Sequence, residues 1–377
     1  MPDSSEIDPA RLPQAIDALP GIDAVRRIAV RVPTYLVGGV VRDLLLGTDG
    51  ADLDIAIEGD AEAFSDIPGY QPERDERFLT GRLQMGDRRI DVAQTRAESY
   101  PSPGALPEVR PAPIAEDLAR RDFTVNAMAY PLAEDAELLD PHGGLDDLRA
   151  GRLRILHDRS FIDDPTRALR AARYAARFGF DLEPETAGLL AETDLSTVSD
   201  DRIQNELRKI ASERDPARSL RLIVEWGVMP TLDPAAPERV EEVVRLASGP
   251  PWADWVDREL AVMLAIVRPL PQIRELVDAE PERPSDAYRL AQPWDPAQLL
   301  VARALGAAWL DEYAERWRQV RLEITGEDLI AGGVDQGPAI GHGLEAALSG
   351  KLDGELSGRD EELRIALAAA RGEIPKG

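Results

Sequence analysis

The hydrophobic pattern of the chain changes character near Leu139. Before that point, short runs alternate apolar and polar residues, the period-two signature of strands with one covered face. Beyond it the strand signals fade, and apolar residues recur at helical spacing over residues 166–178, 202–211 and 217–226. A chain patterned this way folds as an α+β protein, a head with a small sheet followed by an all-α remainder. Its 377 residues suffice for two or three domains with buried cores.

Within the head, Thr34-Tyr35-Leu36-Val37 reads as a strand running into Gly38-Gly39, and Val40 to Leu46 as a helix stopped by Gly47. Glycines between a strand and a helix let the backbone approach a phosphate, and the helix start offers free N–H groups; the same pair also makes a plain tight turn. Arg42, in the first turn, would add a charge-assisted contact to a triphosphate. Residues 52–57 alternate as a strand, so Asp52 and Asp54 leave one face while Leu53, Ile55 and Ile57 leave the other. Two such carboxylates either hold a cation or form a solvated edge, and their hard oxygens suit Mg²⁺ together with substrate phosphate. Residues 89–93 read as a further strand. Its Asp91 either completes a two-metal site or pairs with Arg89 at a sheet edge. Prolines with Ser and Gly between Tyr100 and Pro113 mark a mobile loop.

Two later runs carry polar chemistry. In Arg120-Arg121-Asp122-Phe123-Thr124-Val125-Asn126, the arginines suit phosphate or ribose and Asn126 a sugar hydroxyl; ion pairs with Asp117 or Asp122 are the structural alternative. In Asp163-Asp164-Pro165-Thr166-Arg167, proline after aspartate is a standard helix start, with Asp164 as the cap. Asp164 and Arg167 also share a side of that helix, an acceptor beside a fixed donor. Cytosine and adenine both present an amino donor next to a ring-nitrogen acceptor, so this pair would accept C and A and refuse U and G. Arg170 and Arg173 continue the side, suited to phosphates or to stiffening Arg167.

Charge runs against a nucleic-acid partner at first sight: 44 Lys+Arg against 70 Asp+Glu give a net charge of −26. Distribution matters more than the sum, and residues 165–180 carry Arg167, Arg170, Arg173 and Arg177 with no carboxylate. The absence of cysteine excludes disulfides, and with them disulfide-linked partners, as well as thiolate zinc and cysteine nucleophiles; it fits a reducing cytoplasm. No apolar run spans a bilayer, so no membrane partner is expected, and residues 1–19 lack the basic and apolar regions of a signal peptide.

The ordered runs Gly-Gly-x-Val-Arg-Asp, Asp-x-Asp, Arg-Arg-Asp-Phe-Thr-x-Asn and Asp-Asp-Pro-x-Arg-x-x-Arg-x-x-Arg resemble the class II tRNA nucleotidyltransferases, a family shared with bacterial poly(A) polymerases in the DNA polymerase β-type superfamily. The resemblance spans Tyr35 to Phe180. It implies a polymerase β-type catalytic head (1–139), a helical neck that selects the nucleotide (140–200), a helical body (201–300) and a tRNA-binding tail (301–377). It further implies two Mg²⁺ ions on Asp52 and Asp54; Asp91 is the candidate third catalytic carboxylate, its pairing with Arg89 still open. Triphosphate binding falls to Gly38, Gly39 and Arg42, and nucleotide contacts to Arg120, Arg121 and Asn126. Asp164 and Arg167 become a template made of amino acids, assisted by Arg170 and Arg173. The chain has Asp163 where the family usually has Glu.

The activity expected on this basis is addition of CCA to tRNA from CTP and ATP. The alternatives are CC-only or A-only addition, poly(A) polymerase, and a non-catalytic RNA-binding relative. CC-adding relatives shorten the loop after the catalytic strands. Residues 96–117 are full length here, with Glu98 and Arg110 available to lever the template. Poly(A) polymerases carry a basic tail, whereas this one is acidic, and a non-catalytic relative would lose Asp52 or Asp54. Residues 324–329 and 337–341 look like the family tail, where Gly337-Pro338 either presents N–H groups to RNA phosphate or makes an inter-helix turn. His142, His157 and His342 are too scattered for a metal-dependent phosphohydrolase domain.

Overall fold

In a computed structural model of the protein, which describes residues 7–48, 53–59, 70–72, 80–85, 88–267 and 271–373, the period-two runs form one six-stranded mixed sheet. Its strands are β1 (Thr34–Val37), β2 (Asp54–Ile57), β3 (Tyr70–Pro72), β4 (Thr80–Met85), β5 (Arg88–Gln94) and, after a separate hairpin of β6 (Arg96–Ser99) and β7 (Glu108–Pro111), β8 (Ala129–Pro131). The order across the sheet is β3-β4-β5-β2-β1-β8. Within this sheet, among the described residues, only β2 and β5 run parallel, and that pairing sets Asp54 opposite Asp91. Register partners project from the same face, so the two carboxylates are neighbours there.

Helices α1 (Leu12–Asp17) and α2 (Ile22–Ala29) precede the sheet, and α3 (Gly39–Leu45) leaves directly from β1. Gly38 makes that sharp exit at φ +68°, a backbone region open to glycine and strained for other residues. A Cβ at this position would also collide with Arg121 Nη1. Helix α4 (Ile114–Ala119) covers the sheet: Leu118 is fully buried against Val37, Ala56 and Ala129, a burial worth about 1.5–3 kcal/mol for one leucine.

Beyond Leu139 come α5 (Gly144–Ala150), α6 (Ser160–Asp163), α7 (Thr166–Phe178), α8 (Pro184–Leu189), α9 (Asp200–Ala211) and α10 (Pro216–Trp226). Pro165 disfavours the helical conformation for the residue before it. Asp164 accordingly sits at φ −134°, ψ 90°, ending one short helix so that a second starts at Thr166. Ala168, Ala171, Ala172, Ala175 and Ala176 on α7 are all buried, which lets α9 and α10 pack closely on it. Residues Met1–Pro230 form one compact unit and Thr231–Gly377 a second. The second unit holds α11 (Ala236–Ala247), α12 (Arg258–Ile266), α13 (Pro271–Asp278), α14 (Pro284–Ala291), α15 (Pro296–Ala304), α16 (Leu310–Glu315), α17 (Gly326–Ala331), α18 (Pro338–Leu352) and α19 (Arg359–Ala370). Ile324, Leu329, Val334, Ala347 and Ala366 form a core there between the last three helices. No helix among the described residues is long and apolar enough to cross a membrane.

Three expectations change. The remainder after Leu139 is not purely helical: Arg152–Leu153 and Asp181–Leu182 pair as two parallel strands, too short to show a period. The strand expected from residue 52 begins at Asp54 among the described residues, and Asp52 itself lies outside them. Residues 100–113 are not one mobile loop. Val109 and Arg110 pair with Glu98 and Ala97 in the β6–β7 hairpin, and the tip is anchored, with Gly104 N donating to the carbonyls of Ile162 and Asp163 at 3.2 and 3.3 Å.

Candidate active site

A cavity of about 390 Å³ opens where α3, the β6–β7 hairpin, the Arg120–Asn126 run and α7 meet. Gly39, Asp54, Arg120, Arg121, Asn126, Asp164, Arg167 and Arg170 all line it. Asp91 joins Asp54 and Arg121 around an adjoining cavity of about 250 Å³. Among the described residues no group of three or more side chains is arranged to hold a metal ion.

Arg120 and Arg121 are oriented from beneath by Asp117, which is only 1% exposed. Asp117 Oδ1 accepts from Arg120 Nη2 at 2.8 Å and Nε at 3.0 Å, and Oδ2 accepts from Arg121 Nη2 at 2.9 Å. Burial alone would raise the pKa of this carboxyl; Arg121 and Arg120 reverse that and lower it. Arg120 Nη1 also donates to Glu98 Oε1 at 2.7 Å, tying the β6–β7 hairpin to the run. Glu98 Oε2 accepts from the Tyr100 hydroxyl at 3.0 Å. Burial first, and then the Glu98 charge, push that phenol above its ordinary range.

Asp122 is the hinge of the site's polar network. Its Oδ1 accepts from the Phe123 amide and from Asn126 Nδ2, both at 2.9 Å. Its Oδ2 accepts from Arg170 Nε at 2.9 Å and Nη2 at 2.6 Å. Desolvation pushes its pKa up, but Arg170, the Asn126 hydrogen bond and Arg167 outweigh burial and hold it well below the usual carboxylate range. Arg170 is correspondingly held well above its ordinary value, burial being overcome by Asp122.

Asp164 and Arg167 face the same cavity with their geometry fixed. Arg167 is 4% exposed; its Nη1 donates to Ser160 Oγ at 2.6 Å and its Nη2 to the Arg120 carbonyl at 2.8 Å. These bonds use two of the five N–H groups of a guanidinium. Asp164 does cap α7: its Oδ1 accepts from Thr166 N at 3.0 Å and Thr166 Oγ1 at 2.6 Å. The same oxygen accepts from Arg202 Nη2 at 2.7 Å. All three bonds fall on Oδ1, so capping leaves Oδ2 for another donor.

Other expected residues sit elsewhere. Arg42 is 3% exposed and does not line the cavity. It pairs with Asp43 at 2.8 Å, donates to Asn126 Oδ1, and lies 4.5 Å from the Phe178 ring centre and 5.2 Å from that of Tyr174. Asn126 is thereby committed at both ends, to Arg42 and to Asp122. Gly38 contributes the turn rather than the lining. Arg173 is turned away as well, paired with Glu206 at 3.8 Å and Glu213 at 3.3 Å. Arg177 shares Glu213 at 3.8 Å, so Arg173 and Arg177 are matched by carboxylates of α9 and the turn after it. Arg110 pairs with Glu116 at 2.6 Å rather than with Glu98. Asp163 pairs with Arg159 at 3.0 Å.

Glu98, Tyr100, Asp122 and Tyr174 also line the cavity, and Ser160 and Arg202 brace it from behind. Asp122 was visible as part of its run, though not as the partner of Arg170, 48 positions away. Ser160, Arg202 and Tyr174 carried no signal, because they meet Arg167, Asp164 and Phe123 only once the chain has folded.

Comparison with known proteins agrees with this architecture. Residues 34–154 match the poly(A) polymerase head domain. The chain is 36% identical over 371 residues to a CC-adding tRNA nucleotidyltransferase of Deinococcus radiodurans, covering 94% of each protein. It is 44% identical over 216 residues to an A-adding tRNA nucleotidyltransferase of Halalkalibacterium halodurans, 54% of this chain and 51% of that one. The chain spans about half the length of the A-adding relatives it matches first. The solved structure of a CCA-adding enzyme in an apo form aligns with a TM-score of 0.76 at 32% identity over 97% of both chains. The chain belongs to the tRNA nucleotidyltransferase family.

Proposed function

We propose that this protein adds CCA to the 3′ end of tRNA, taking CTP twice and ATP once without a nucleic-acid template. The observation that carries this reading is that Asp164 and Arg167 line the same cavity as the strand carboxylate Asp54. Asp164 Oδ2 accepts the amino group of cytosine or adenine, and Arg167 donates to the neighbouring ring nitrogen. The bonds from Arg167 to Ser160 and to the Arg120 carbonyl fix its guanidinium before the base arrives, so ordering costs little on binding. Uracil and guanine put a carbonyl against Asp164 and an N–H against Arg167, leaving buried polar groups unpaired.

Nucleotidyltransferases of this family generally work with a divalent metal. The donor set here fits Mg²⁺: Asp54 and Asp91 are register partners on one sheet face, hard oxygen ligands at the cavity wall. With Asp52, they would hold the ions, which when bound assist the attacking 3′-hydroxyl and neutralise triphosphate charge. Arg120 and Arg121 are held ready for phosphate or ribose by Asp117. Triphosphate contact falls to them more than to Arg42, whose guanidinium is buried in its own pairings.

A partial activity is the second reading, favoured by the CC-adding relative that covers nearly the whole chain. The β6–β7 hairpin, with its tip seated on Ile162 and Asp163, keeps the full-length segment expected of a chain competent in A addition. One assay separates them. Transcripts of tRNA ending before CCA, after C and after CC are offered CTP and ATP separately. Extension of all three with the matching nucleotide supports CCA addition; failure on the CC-ending transcript identifies a CC-adding enzyme, and extension of that one alone an A-adding enzyme.

A further inference from the structure

Most polar groups in the middle of the cavity are committed to one another. Asp122 receives Phe123 N and Asn126 Nδ2 on Oδ1 and two N–H groups of Arg170 on Oδ2, which fills the lone pairs of a carboxylate. Asn126 gives its carbonyl oxygen to Arg42. Tyr174 differs. Its phenol oxygen accepts from Arg170 Nη2 at 3.2 Å, so its own hydrogen is turned away from that guanidinium. A hydroxyl has one hydrogen to donate, and among the described residues no acceptor takes this one. The ring itself is packing: Phe123 meets it edge-on at 6.0 Å, Phe178 stacks at 6.1 Å, and Arg42 and Arg173 lie over it at 5.2 and 4.6 Å. None of those four residues lines the cavity, whereas Arg170 and Tyr174 both do. The hydroxyl end beside Arg170 is therefore what Tyr174 offers to a ligand.

We infer that Tyr174 is a specificity-determining residue, donating its phenol hydrogen to a hydroxyl of the incoming nucleotide's ribose. Arg167, Arg170 and Tyr174 stand at i, i+3 and i+7 on one face of α7. Tyr174 thus lies about 10 Å along the helix from the base-reading arginine. Arg42, in the first turn of α3, lies over its ring, so this end of α7 faces the start of α3, where Gly39 lines the cavity with Asp54. In any nucleotide the sugar lies between base and phosphates. A base on Asp164 and Arg167 with its triphosphate at Asp54 therefore sets the ribose against Arg170 and Tyr174. A ribose hydroxyl offers lone pairs to the phenol hydrogen; a sugar lacking that hydroxyl leaves the donor unpaired and binds more weakly. Asp122 cannot take over the contact, because its oxygens are filled. The sugar contact expected of Asn126 passes in this way to Tyr174.

This inference rests on the base placement proposed above, and the test keeps the two apart. The full chain and Tyr174→Phe are titrated calorimetrically with CTP, 2′-deoxy-CTP and 3′-deoxy-CTP in Mg²⁺, without tRNA, so that binding is read with no turnover. The variant removes one oxygen and keeps the ring among Phe123, Phe178 and Arg42. Wild type should bind CTP about tenfold or more tighter than one of the two analogues, and that analogue identifies the hydroxyl that is read. Tyr174→Phe should weaken CTP by about tenfold and leave the same analogue within about twofold, so that the preference collapses. A hydroxyl that only braces Arg170 weakens CTP and both analogues alike, and that result overturns the inference. Equal binding of all three nucleotides by wild type, or a preference kept intact in Tyr174→Phe, overturns it as well. If Tyr174→Phe does not fold, Tyr174→Met carries the same comparison. Failure of the base reading shows elsewhere: Asp164→Ala with wild-type choice between CTP and UTP removes that reading, while the deoxy preference of Tyr174→Phe still decides this one.

Discussion

Arg170 places both its Nε and an Nη on a single oxygen of Asp122, at 2.9 and 2.6 Å. A charge that begins in the sheet domain is thereby neutralised from α7. The other oxygen of Asp122 collects Phe123 N and Asn126 Nδ2, so this carboxylate is saturated and almost without water contact, at 7% exposed.

Asp122→Asn should therefore destabilise the protein by about 1–3 kcal/mol at neutral pH, because it removes the closer counter-charge of the half-buried Arg170 and leaves it the longer pairing with Glu206 at 3.6 Å. The pH dependence has a definite sign. The folded pKa of Asp122 lies below its unfolded value near 3.8, so its stabilisation is present above about pH 4 and is lost as pH falls toward the folded value. Thermal melts of wild type should fall steeply below pH 4. Melts of Asp122→Asn should start lower and fall less steeply there. Parallel slopes would show that other carboxylates dominate acid unfolding.

Arg42→Met should act on stability before it acts on substrate. The guanidinium is buried, stacked near Phe178 and Tyr174, and holds Asn126. Truncating its charge leaves Asp43 and Asn126 short of a donor, a loss of about 2–5 kcal/mol. The KM for CTP at a temperature where the variant is folded should change less than threefold. A large rise in KM with an unchanged melting temperature would return Arg42 to the triphosphate.

Asp54→Ala should abolish addition of both CTP and ATP while leaving tRNA binding within a few-fold of wild type. Asp91→Ala should do the same, since the two carboxylates are register partners. Losing a ligand to a catalytic metal costs several kcal/mol of transition-state stabilisation. Turnover near wild type with Mg²⁺ in either variant would separate that residue from the metals.

Asp164→Ala should do two things at once, because Oδ1 and Oδ2 have different work. Loss of the cap and of the Arg202 pair lowers stability by about 0.5–2 kcal/mol. Loss of the acceptor lets UTP and GTP gain on CTP and ATP in kcat/KM. A lower melting temperature with wild-type selectivity would leave Asp164 as a helix cap only.

Much of this arrangement is legible in the residues, and the gaps have physical causes. β1, α7 and the strand around Asp91 follow from periodicity, glycine and proline alone, since local sterics decide them. The Asp164-Pro165 break follows from the ring of one proline. What local pattern does not carry is partnership over distance. Arg42 looks like a phosphate ligand because it opens a helix after two glycines; only packing against Tyr174 and Phe178, well over a hundred positions on, removes it from the cavity. The arginines of α7 read as a cationic strip until Glu206 and Glu213 fold against three of them, Arg170, Arg173 and Arg177. The hairpin reads as mobile from its prolines, yet one glycine peptide and Arg202 pin its tip.

The pairing of Asp122 with Arg170 bears on how such a protein can be taken apart or recombined. A fragment ending at residue 154 would contain every strand of the main sheet, yet it would keep a buried carboxylate without its counter-charge and Phe123 without the Tyr174 edge, whose ring centre lies 6.0 Å away. The head is therefore not a module that can be exchanged between necks at will. A graft holds together only if donor and recipient agree on both ends of that ion pair, so sequence drift on one side of the junction is constrained by the other.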